Sequence, residues 1–224
     1  LLFDAGDIFQ GTPYFNYFGG ELEFKMMSKL GYDGATIGNH DFDNGIDGLE
    51  RQLPNAKFDF IISNYDFSDT VMDGRTDRFK IYEKGGIKVG VFGLGIQLKG
   101  LVDPALFKET KYLDPVEITQ DMTKVLREEQ HCDLVIALSH LGYNYKSNPD
   151  RISDLSLARQ TEGVDLIIGG HTHTFLKKPT VVRNRADKNL LVNQVGCWGV
   201  QVGRIDFEFN SRGKSSEKGT SIVV

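Results

Sequence analysis

The first two-thirds of the chain alternate short apolar runs with segments in which apolar residues recur every three or four positions. Apolar runs bounded by glycine and polar residues predict buried strands. We expect such strands at residues 1–5, 35–37, 60–63, 134–138 and 166–168. Two further runs, residues 79–83 and 88–93, flank Lys84-Gly85-Gly86 and predict a hairpin.

Four segments have the spacing of helices that bury one face. Residues 21–30 place Leu22 and Met26 on one side and are followed by Gly31, a common helix stop. Residues 115–130 form the clearest prediction, because a proline opens the segment and Asp114 precedes it as a cap. The other two helices are expected at residues 45–53 and around 152–161.

The pattern changes after His173. Residues 180–183, 189–195, 202–209 and 220–224 read as strands joined by polar turns, with residues 211–219 as a flexible polar hairpin or loop. An α/β part followed by an antiparallel part favours an α/β fold with two sheets packed face to face and helices outside. At 224 residues the chain is expected to form one domain, residues 1–224.

Composition narrows the class of protein. Hydrophobic residues make up 40% of the chain and charged residues 25%, which is ordinary for a globular protein. A net charge of −5 argues against nucleic acid as a partner, because such proteins are usually basic. Cys132 and Cys197 lack metal-binding spacing, and two free thiols are favoured over a disulfide. No apolar run reaches the roughly 18 residues of a transmembrane helix.

Residues able to bind metal follow four of the predicted strands. They lie in Gly6-Asp7, Gly38-Asn39-His40-Asp41, Ser139-His140 and Gly169-Gly170-His171-Thr172-His173. Open α/β sheets bind ligands at the carboxyl ends of their strands, so these loops are expected to converge. Carboxylate, amide and imidazole groups without thiolates indicate a metal site built from nitrogen and oxygen ligands.

Each of these residues also has a simpler interpretation. Asp7 fits a helix cap, Asn39 fits a left-handed turn, and either of His140 and His171 fits a hydrogen-bonded turn residue. Because all four loops contain such residues, we favour the interpretation that they are metal ligands. His173 would face the same way as His171 in an extended segment. The aromatic residues that follow the first loop are expected in core or interdomain packing rather than in a substrate-facing wall; they are Tyr14, Phe15, Tyr17 and Phe18.

The motifs resemble those of calcineurin-like metallophosphoesterases, and more closely the metallophosphatase domain of the 5′-nucleotidase family. The resemblance extends over nearly the whole chain and implies a four-layered αββα sandwich of two mixed sheets flanked by helices. The motifs that carry it are Gly6-Asp7-Ile8-Phe9-Gln10-Gly11-Thr12, Gly38-Asn39-His40-Asp41-Phe42-Asp43, His140-Leu141-Gly142, Gly170-His171-Thr172-His173 and Asn193-Gln194-Val195-Gly196-Cys197-Trp198-Gly199.

The resemblance assigns a role to each site residue. It implies that Asp7 bridges two divalent ions, and that His173 ligates the first ion. It implies that the second ion is completed by Asn39, His140 and His171. His40 would bind phosphate with Asn39 and act as a general acid, oriented by Asp43, with Asp41 as the alternative partner. Among metals, Zn²⁺ and Mn²⁺ are favoured, with Mg²⁺, Ca²⁺, Co²⁺ and Fe also suited to such ligands.

One part of the family pattern does not occur in the sequence. The family opens with a strand ending in Asp-x-His, whose two residues ligate the first metal, and no such segment precedes Gly6-Asp7. We therefore expect a truncated catalytic domain that binds one of the two ions tightly. The family's C-terminal substrate-specificity domain is also expected to lie outside residues 1–224.

The expected activity is hydrolysis of nucleotide phosphomonoesters, as in 5′-nucleotidases, by a metal-bound hydroxide with His40 as the acid. UDP-sugars and 2′,3′-cyclic or 3′-nucleotides are alternative substrates within the family. A different alternative is a catalytically impaired fragment with a single metal, or the partner subunit of a split nucleotidase. The expected partners are a nucleotide and a specificity domain or separate chain. The resemblance implies a periplasmic or extracellular location.

Overall fold

The computed structural model describes residues 1–11, 13–210 and 213–223. The helices are α1 (Pro13–Phe18), α2 (Glu21–Leu30), α3 (Ile46–Gln52), α4 (Pro104–Phe107), α5 (Pro115–Lys124) and α6 (Asp154–Gln160). The strands are β1 (Phe3–Asp4), β2 (Gly34–Ala35), β3 (Asp59–Phe60), β4 (Tyr65–Asp66), β5 (Phe79–Lys84), β6 (Ile87–Leu94), β7 (Lys111–Tyr112), β8 (Leu134–Ser139), β9 (Leu166–Gly169), β10 (Thr180–Arg183), β11 (Asn189–Asn193), β12 (Gln201–Asn210) and β13 (Gly213–Val223).

A six-stranded mixed sheet in the order β10-β11-β9-β8-β6-β5 forms the larger half of the fold. Its four central strands run parallel, and β5 and β10 join antiparallel at the two edges. Burial on both faces explains why β8, from Leu134 to Ser139, is an unbroken run of buried residues. The predicted hairpin is β5–β6, and Gly85 and Gly86 supply the positive φ angles of its turn.

A smaller parallel sheet in the order β1-β2-β3 packs against the larger one. Strands β12 and β13 form a separate antiparallel ribbon, and β4 pairs with β7. Among the described strands, β1 pairs only with β2, so its other edge carries no strand. The three strands of the smaller sheet are all parallel, whereas the larger sheet is mixed.

Three apolar cores separate the layers. One lies between the small sheet and its helices and includes Phe24 of α2 and Phe60 of β3. A second lies between the large sheet and helices α5 and α6 and includes Met122 and Leu157. The third lies between the two sheets, where Ile136 and other large-sheet residues face Phe3 of β1 and Phe207 of β12. This order of helix, sheet, sheet and helix confirms the predicted four-layered αββα fold.

The predicted helices agree closely with the observed ones. Helix α2 has the predicted bounds, and the N–H of Gly31, in the left-handed region, bonds to carbonyls of its last turn. Asp114 caps α5 by accepting from the N–H groups of Val116 and Glu117, but regular helix ends at Lys124. A turn of π-helix, Val125–Glu129, continues it.

Two sequence interpretations need correction. The segment at residues 211–219, predicted as a flexible polar hairpin or loop, is largely strand: β13 begins at Gly213 and pairs antiparallel with β12, while residues 211–212 lie outside the described part of the chain. Helix α1 was not predicted, and of its aromatic side chains only Phe15 is buried in the core. Tyr14, Tyr17 and Phe18 are exposed, so packing within this chain does not account for them.

The longest helices in the described ranges, α2 and α5, have 10 residues each. None of the described helices is long and apolar enough to cross a lipid bilayer.

Candidate metal centre and its acid–base pair

Loops from both sheets bring three ligand-type side chains together at the carboxyl ends of the strands. Asp7 follows β1, His140 follows β8 and His171 follows β9. One ligand atom from each lies within 4.8 Å of the other two, and we call these residues the metal triad. The triad is therefore assembled across the two sheets, as the predicted strand ends required.

The environment of His140 suits a metal ligand. Its side chain is 1% exposed, and its Nδ1 lies 2.6 Å from the carbonyl oxygen of Ala5, which requires Nδ1 to carry the proton. Its Nε2 lies 2.9 Å from Asp7 Oδ2, an ion-pair distance, and makes no hydrogen bond to the described residues. A buried Nε2 lone pair, with the ring held through Nδ1, is the arrangement that metal-ligating histidines use. The triad therefore fits a divalent ion.

Asn39 lies next to the triad. Its Oδ1 accepts a hydrogen bond from Nδ1 of His171 at 2.8 Å. The Asn39 side chain is buried, and its loop is held to the first loop because the N–H of His40 donates to Asp7 Oδ1 at 2.7 Å. The Asn39 amide oxygen is therefore held beside a triad residue.

His40 stands beside the triad and pairs with a different carboxylate. Its Nδ1 lies 2.8 Å from Asp43 Oδ2, three residues along the same short 3₁₀ turn. The His40 side chain is 51% exposed, so Nε2 of the ring can reach a molecule in the cleft. The structure thus pairs His40 with Asp43 and not with the alternative partner, Asp41.

Asp41 has another place in the structure, which the sequence did not indicate. Its fully buried carboxylate accepts from four backbone N–H groups, those of Asp7, Ile8, Phe9 and Gly38. These groups belong to the loops after β1 and β2. One side chain therefore joins the loop that carries Asp7 to the loop that carries Asn39 and His40. The motif contained the residue, but nothing in its spacing showed that its partners would be backbone groups.

His173 lies apart from the triad. It is exposed and lines the same cleft as Asp7 and His171, but it is not within the triad's ligand distance. The structure therefore brings together four of the five predicted metal ligands and leaves His173 on the rim.

The triad also perturbs the titration of its members. Burial alone would raise the pKa of Asp7 and lower that of His140, but their mutual attraction outweighs burial. The pKa of Asp7 therefore lies below the ordinary value of an aspartate, and the pKa of His140 lies above the ordinary value of a histidine. Burial and the charge of His140 lower the pKa of His171 to about 4, so its ring is neutral at pH 7. Burial raises the pKa of Asp41 to about 7, and the nearby Asp7 carboxylate acts in the same direction.

Backbone strain is concentrated at this site. Eight non-glycine residues among those described have positive φ angles, and five of them line the cleft. Such conformations cost about 1–3 kcal/mol each and persist only where surrounding contacts enforce them. The five residues are Asp7, Gln10, His171, His173 and Trp198.

The cleft itself is larger than the triad needs. It encloses about 1030 Å³ and extends from the metal triad down between β1, the large sheet and β12. Its apolar wall includes Leu134 and Ile136 on the large sheet and Ile205 and Phe207 on the ribbon. The free edge of β1 borders the same space. We call the part of the cleft between β1, the large sheet and β12 the slot; it continues to the metal triad.

Fold and site together define a metallohydrolase-type domain, an αββα sandwich with a metal triad at its strand ends. Residues 1–175 match the calcineurin-like phosphoesterase model, and the chain belongs to that family. The trifunctional nucleotide phosphoesterase YfkN of Bacillus subtilis is 33% identical over 245 residues, covering 95% of this chain and 16% of that protein. A snake venom 5′-nucleotidase from Crotalus adamanteus is 32% identical, covering 95% of this chain and 37% of that protein.

Among solved structures, the 5′-nucleotidase precursor of Thermus thermophilus superposes with a TM-score of 0.87 at 33% identity. The match covers all of this chain and 45% of that one. The sequence resemblance to the 5′-nucleotidase branch of metallophosphoesterases is therefore confirmed. The chain spans less than half the length of each of these relatives.

Proposed function

We propose that this chain is the catalytic domain of a metal-dependent phosphomonoesterase that acts on nucleotides. The observation that carries the proposal is the metal triad, in which buried His140 turns Nε2 toward Asp7 without a hydrogen bond, beside the His40–Asp43 pair. The homology to nucleotide phosphoesterases and 5′-nucleotidases supports the same activity.

Asp7, Asn39, His140 and His171 would hold one divalent ion, with zinc or manganese favoured. A divalent ion bound there would supply Lewis-acid polarisation and charge neutralisation at the phosphoryl group. Ala5 and Asp41 contribute indirectly, because the Ala5 carbonyl fixes the His140 ring and the Asp41 carboxylate joins the two loops.

The His40–Asp43 pair would move the proton. Asp43 accepts from Nδ1 of His40, which leaves Nε2 to carry the proton that a departing alkoxide needs. Its exposure toward the cleft lets it contact a phosphate oxygen together with the buried Asn39 amide. A general acid must lie within hydrogen-bond reach of the atom that it protonates. His40 lies beside the metal triad and is not one of its three residues.

Nucleoside 5′-monophosphates are the proposed substrates. UDP-sugars and 2′,3′-cyclic or 3′-nucleotides remain alternatives, since the B. subtilis relative is a trifunctional nucleotide phosphoesterase. The test uses metal-loaded protein to which an Asp-x-His segment has been fused, as described below. It measures phosphate release from AMP and 3′-AMP, opening of 2′,3′-cyclic AMP to a monophosphate, and formation of UMP from a UDP-sugar. Formation of none of these products, with metal shown to be bound, would overturn the proposal.

We further propose that the slot beside β1 holds one more strand, which supplies the remaining ligands of a second divalent ion with Asp7 and His173. The supporting observations are the unpaired edge of β1, the apolar slot and the position of His173 on the rim. Fusing to Leu1 an extended apolar segment that ends in Asp-x-His tests this. Two bound ions and a rise in turnover of orders of magnitude are expected, and one ion with unchanged turnover would contradict it.

A single-metal form of impaired activity is the second candidate, favoured by the same observation that His173 lies outside the triad. Elemental analysis of the fused and unfused proteins separates the candidates.

The proposal includes a specificity domain or partner chain that contacts the nucleoside. It also includes a periplasmic or extracellular location. The snake venom relative supports the location, and the greater length of the relatives supports a further domain.

A further inference from the structure

The loop that carries His171 and His173 has an unusual conformation for its composition. Both histidines have positive φ angles, 68° and 49°, which L-residues rarely adopt. They are separated by Thr172 and preceded by Gly170, whose N–H donates to the carbonyl oxygen of Ser139 on the neighbouring strand. A loop with two strained residues needs contacts that exclude its relaxed forms.

Gln194 makes those contacts. It follows β11, which lies beside β9 in the large sheet, and its side chain is almost completely buried. Its Nε2 donates to the carbonyl oxygen of Gly170 at 2.6 Å. Its Oε1 accepts from the backbone N–H of Thr174 and from the hydroxyl of Thr172 at 3.1 Å. A single amide therefore ties the loop before, between and after the two histidines.

The same network reaches the loop that carries His140. The hydroxyl of Thr172, which donates to Gln194, accepts from the N–H of Tyr143 at 2.9 Å. Tyr143 is three residues beyond His140. Gln194 thus connects the loops after β8 and β9, which carry two of the three triad residues.

We propose that Gln194 is a positioning residue for the metal centre, which holds His171 in its ligating conformation through Gly170, Thr172 and Thr174. Both halves of its amide are needed, because the donor holds one end of the loop and the acceptor holds the middle and the far end. The proposal rests on the metal triad of the proposed function and adds a residue that neither touches the ion nor contacts substrate.

The experiment compares Gln194→Met, which keeps the length of the side chain but removes its hydrogen bonds, with Thr172→Val, which removes the hydroxyl of the network. The matched control is Thr119→Val on α5, where a buried hydroxyl bonds to the Pro115 carbonyl in the core beside the large sheet. Zinc affinity is measured by competition with a chromophoric chelator, and thermal unfolding is followed on the metal-free proteins.

We expect Gln194→Met to weaken zinc binding by about 10–100-fold, the usual effect of losing a residue that orients metal ligands. Thr172→Val should weaken it less, and the double variant should lose less than the product of the two single losses, since both act through one network. Thr119→Val should lower the melting temperature but change zinc affinity by less than about twofold. Equal zinc affinity in Gln194→Met and wild type would overturn the proposal.

A second readout does not depend on metal binding. In the metal-free proteins, the ring ¹⁵N resonances of His171 are expected to shift or broaden in Gln194→Met and to stay in place in Thr119→Val. If wild-type protein binds no zinc, the proposed function fails and these resonances decide the inference about Gln194. Unchanged His171 resonances in Gln194→Met would overturn it.

Discussion

Replacing Asp154 by asparagine should change how the stability of the protein depends on pH. Asp154 opens helix α6 and is completely buried. Its Oδ1 accepts from the hydroxyl of Ser139 at 2.6 Å, and its Oδ2 has no partner among the described residues. Burial with so few donors raises the pKa of Asp154 from 3.8 to about 8. The carboxyl group is therefore protonated in the folded protein near neutral pH.

The sign of the effect follows from this raised pKa. Between about pH 4 and pH 8 the folded protein retains a proton that the unfolded chain has released, so stability is lost as pH rises through this window. Each pH unit of increase inside the window lowers the free energy of unfolding by about 1.4 kcal/mol. From about pH 5 to about pH 7 the wild-type protein should lose about 2.7 kcal/mol through Asp154 alone. The Asp154→Asn variant keeps an acceptor for Ser139 and carries no titrating proton.

The assay is urea unfolding of metal-free protein at about pH 5, 6 and 7. The free energy of unfolding of Asp154→Asn, minus that of wild type, should increase by about 2.7 kcal/mol over this range. The contributions of other buried groups to the free energy of unfolding are the same in both proteins and cancel in the difference. Asp187→Asn is the control, since that side chain is 89% exposed and its positive φ suits asparagine. A difference for Asp154→Asn that stays constant across pH would refute the reasoning, because Asp154 would then be ionised in the folded protein.

Four further outcomes are expected. His40→Ala should lower turnover by about 10²–10⁴-fold and leave the metal content unchanged. The control variant is His131→Asn, at another exposed histidine. Loss of metal in His40→Ala would show that His40 is a ligand. Dialysed protein should retain one divalent ion per chain by elemental analysis, and two would contradict the isolation of His173. Zinc binding should weaken as pH falls through the raised pKa of His140, because protons compete with the ion for its ring; calorimetry showing no proton release there would contradict this. In the protein fused to the Asp-x-His segment, AMP and an aryl phosphate should differ by less than about tenfold in kcat/KM, since the site residues identified bind only metal and phosphate; a thousandfold preference would point to exposed Tyr14 and Tyr17 as a nucleoside contact.

Local patterns in the sequence determined the larger elements. Helix α2 has the predicted bounds, because a stop signal such as Gly31 acts over a few residues. The predicted face was wrong: α2 buries Phe24 and Met27, whereas Met26 is exposed. The buried strands β8 and β9 were evident as apolar runs, since a strand covered on both faces needs no polar side. Helix α1 was missed because its aromatic residues are mostly exposed and give no apolar face.

The loops that carry the metal triad were likewise evident, because ligand-type residues at strand ends follow a local rule. Their convergence was predicted as well, but not that Asp7 and His140 would come from different sheets. Only the packed fold showed that His171 faces Asn39 whereas His173 lies on the rim. Two positive φ angles turn the loop in a way that an extended segment would not.

Tertiary structure alone decided which residues hold the site in place. Asp41 and Gln194 were both visible in motifs, yet their partners are mainly backbone groups of other loops. Every residue offers the same backbone N–H and C=O groups, so a sequence contains no signal for which of them a buried carboxylate or amide will bind. The sequence determined which groups could bind a metal ion, and the packing of two sheets determined which of them meet.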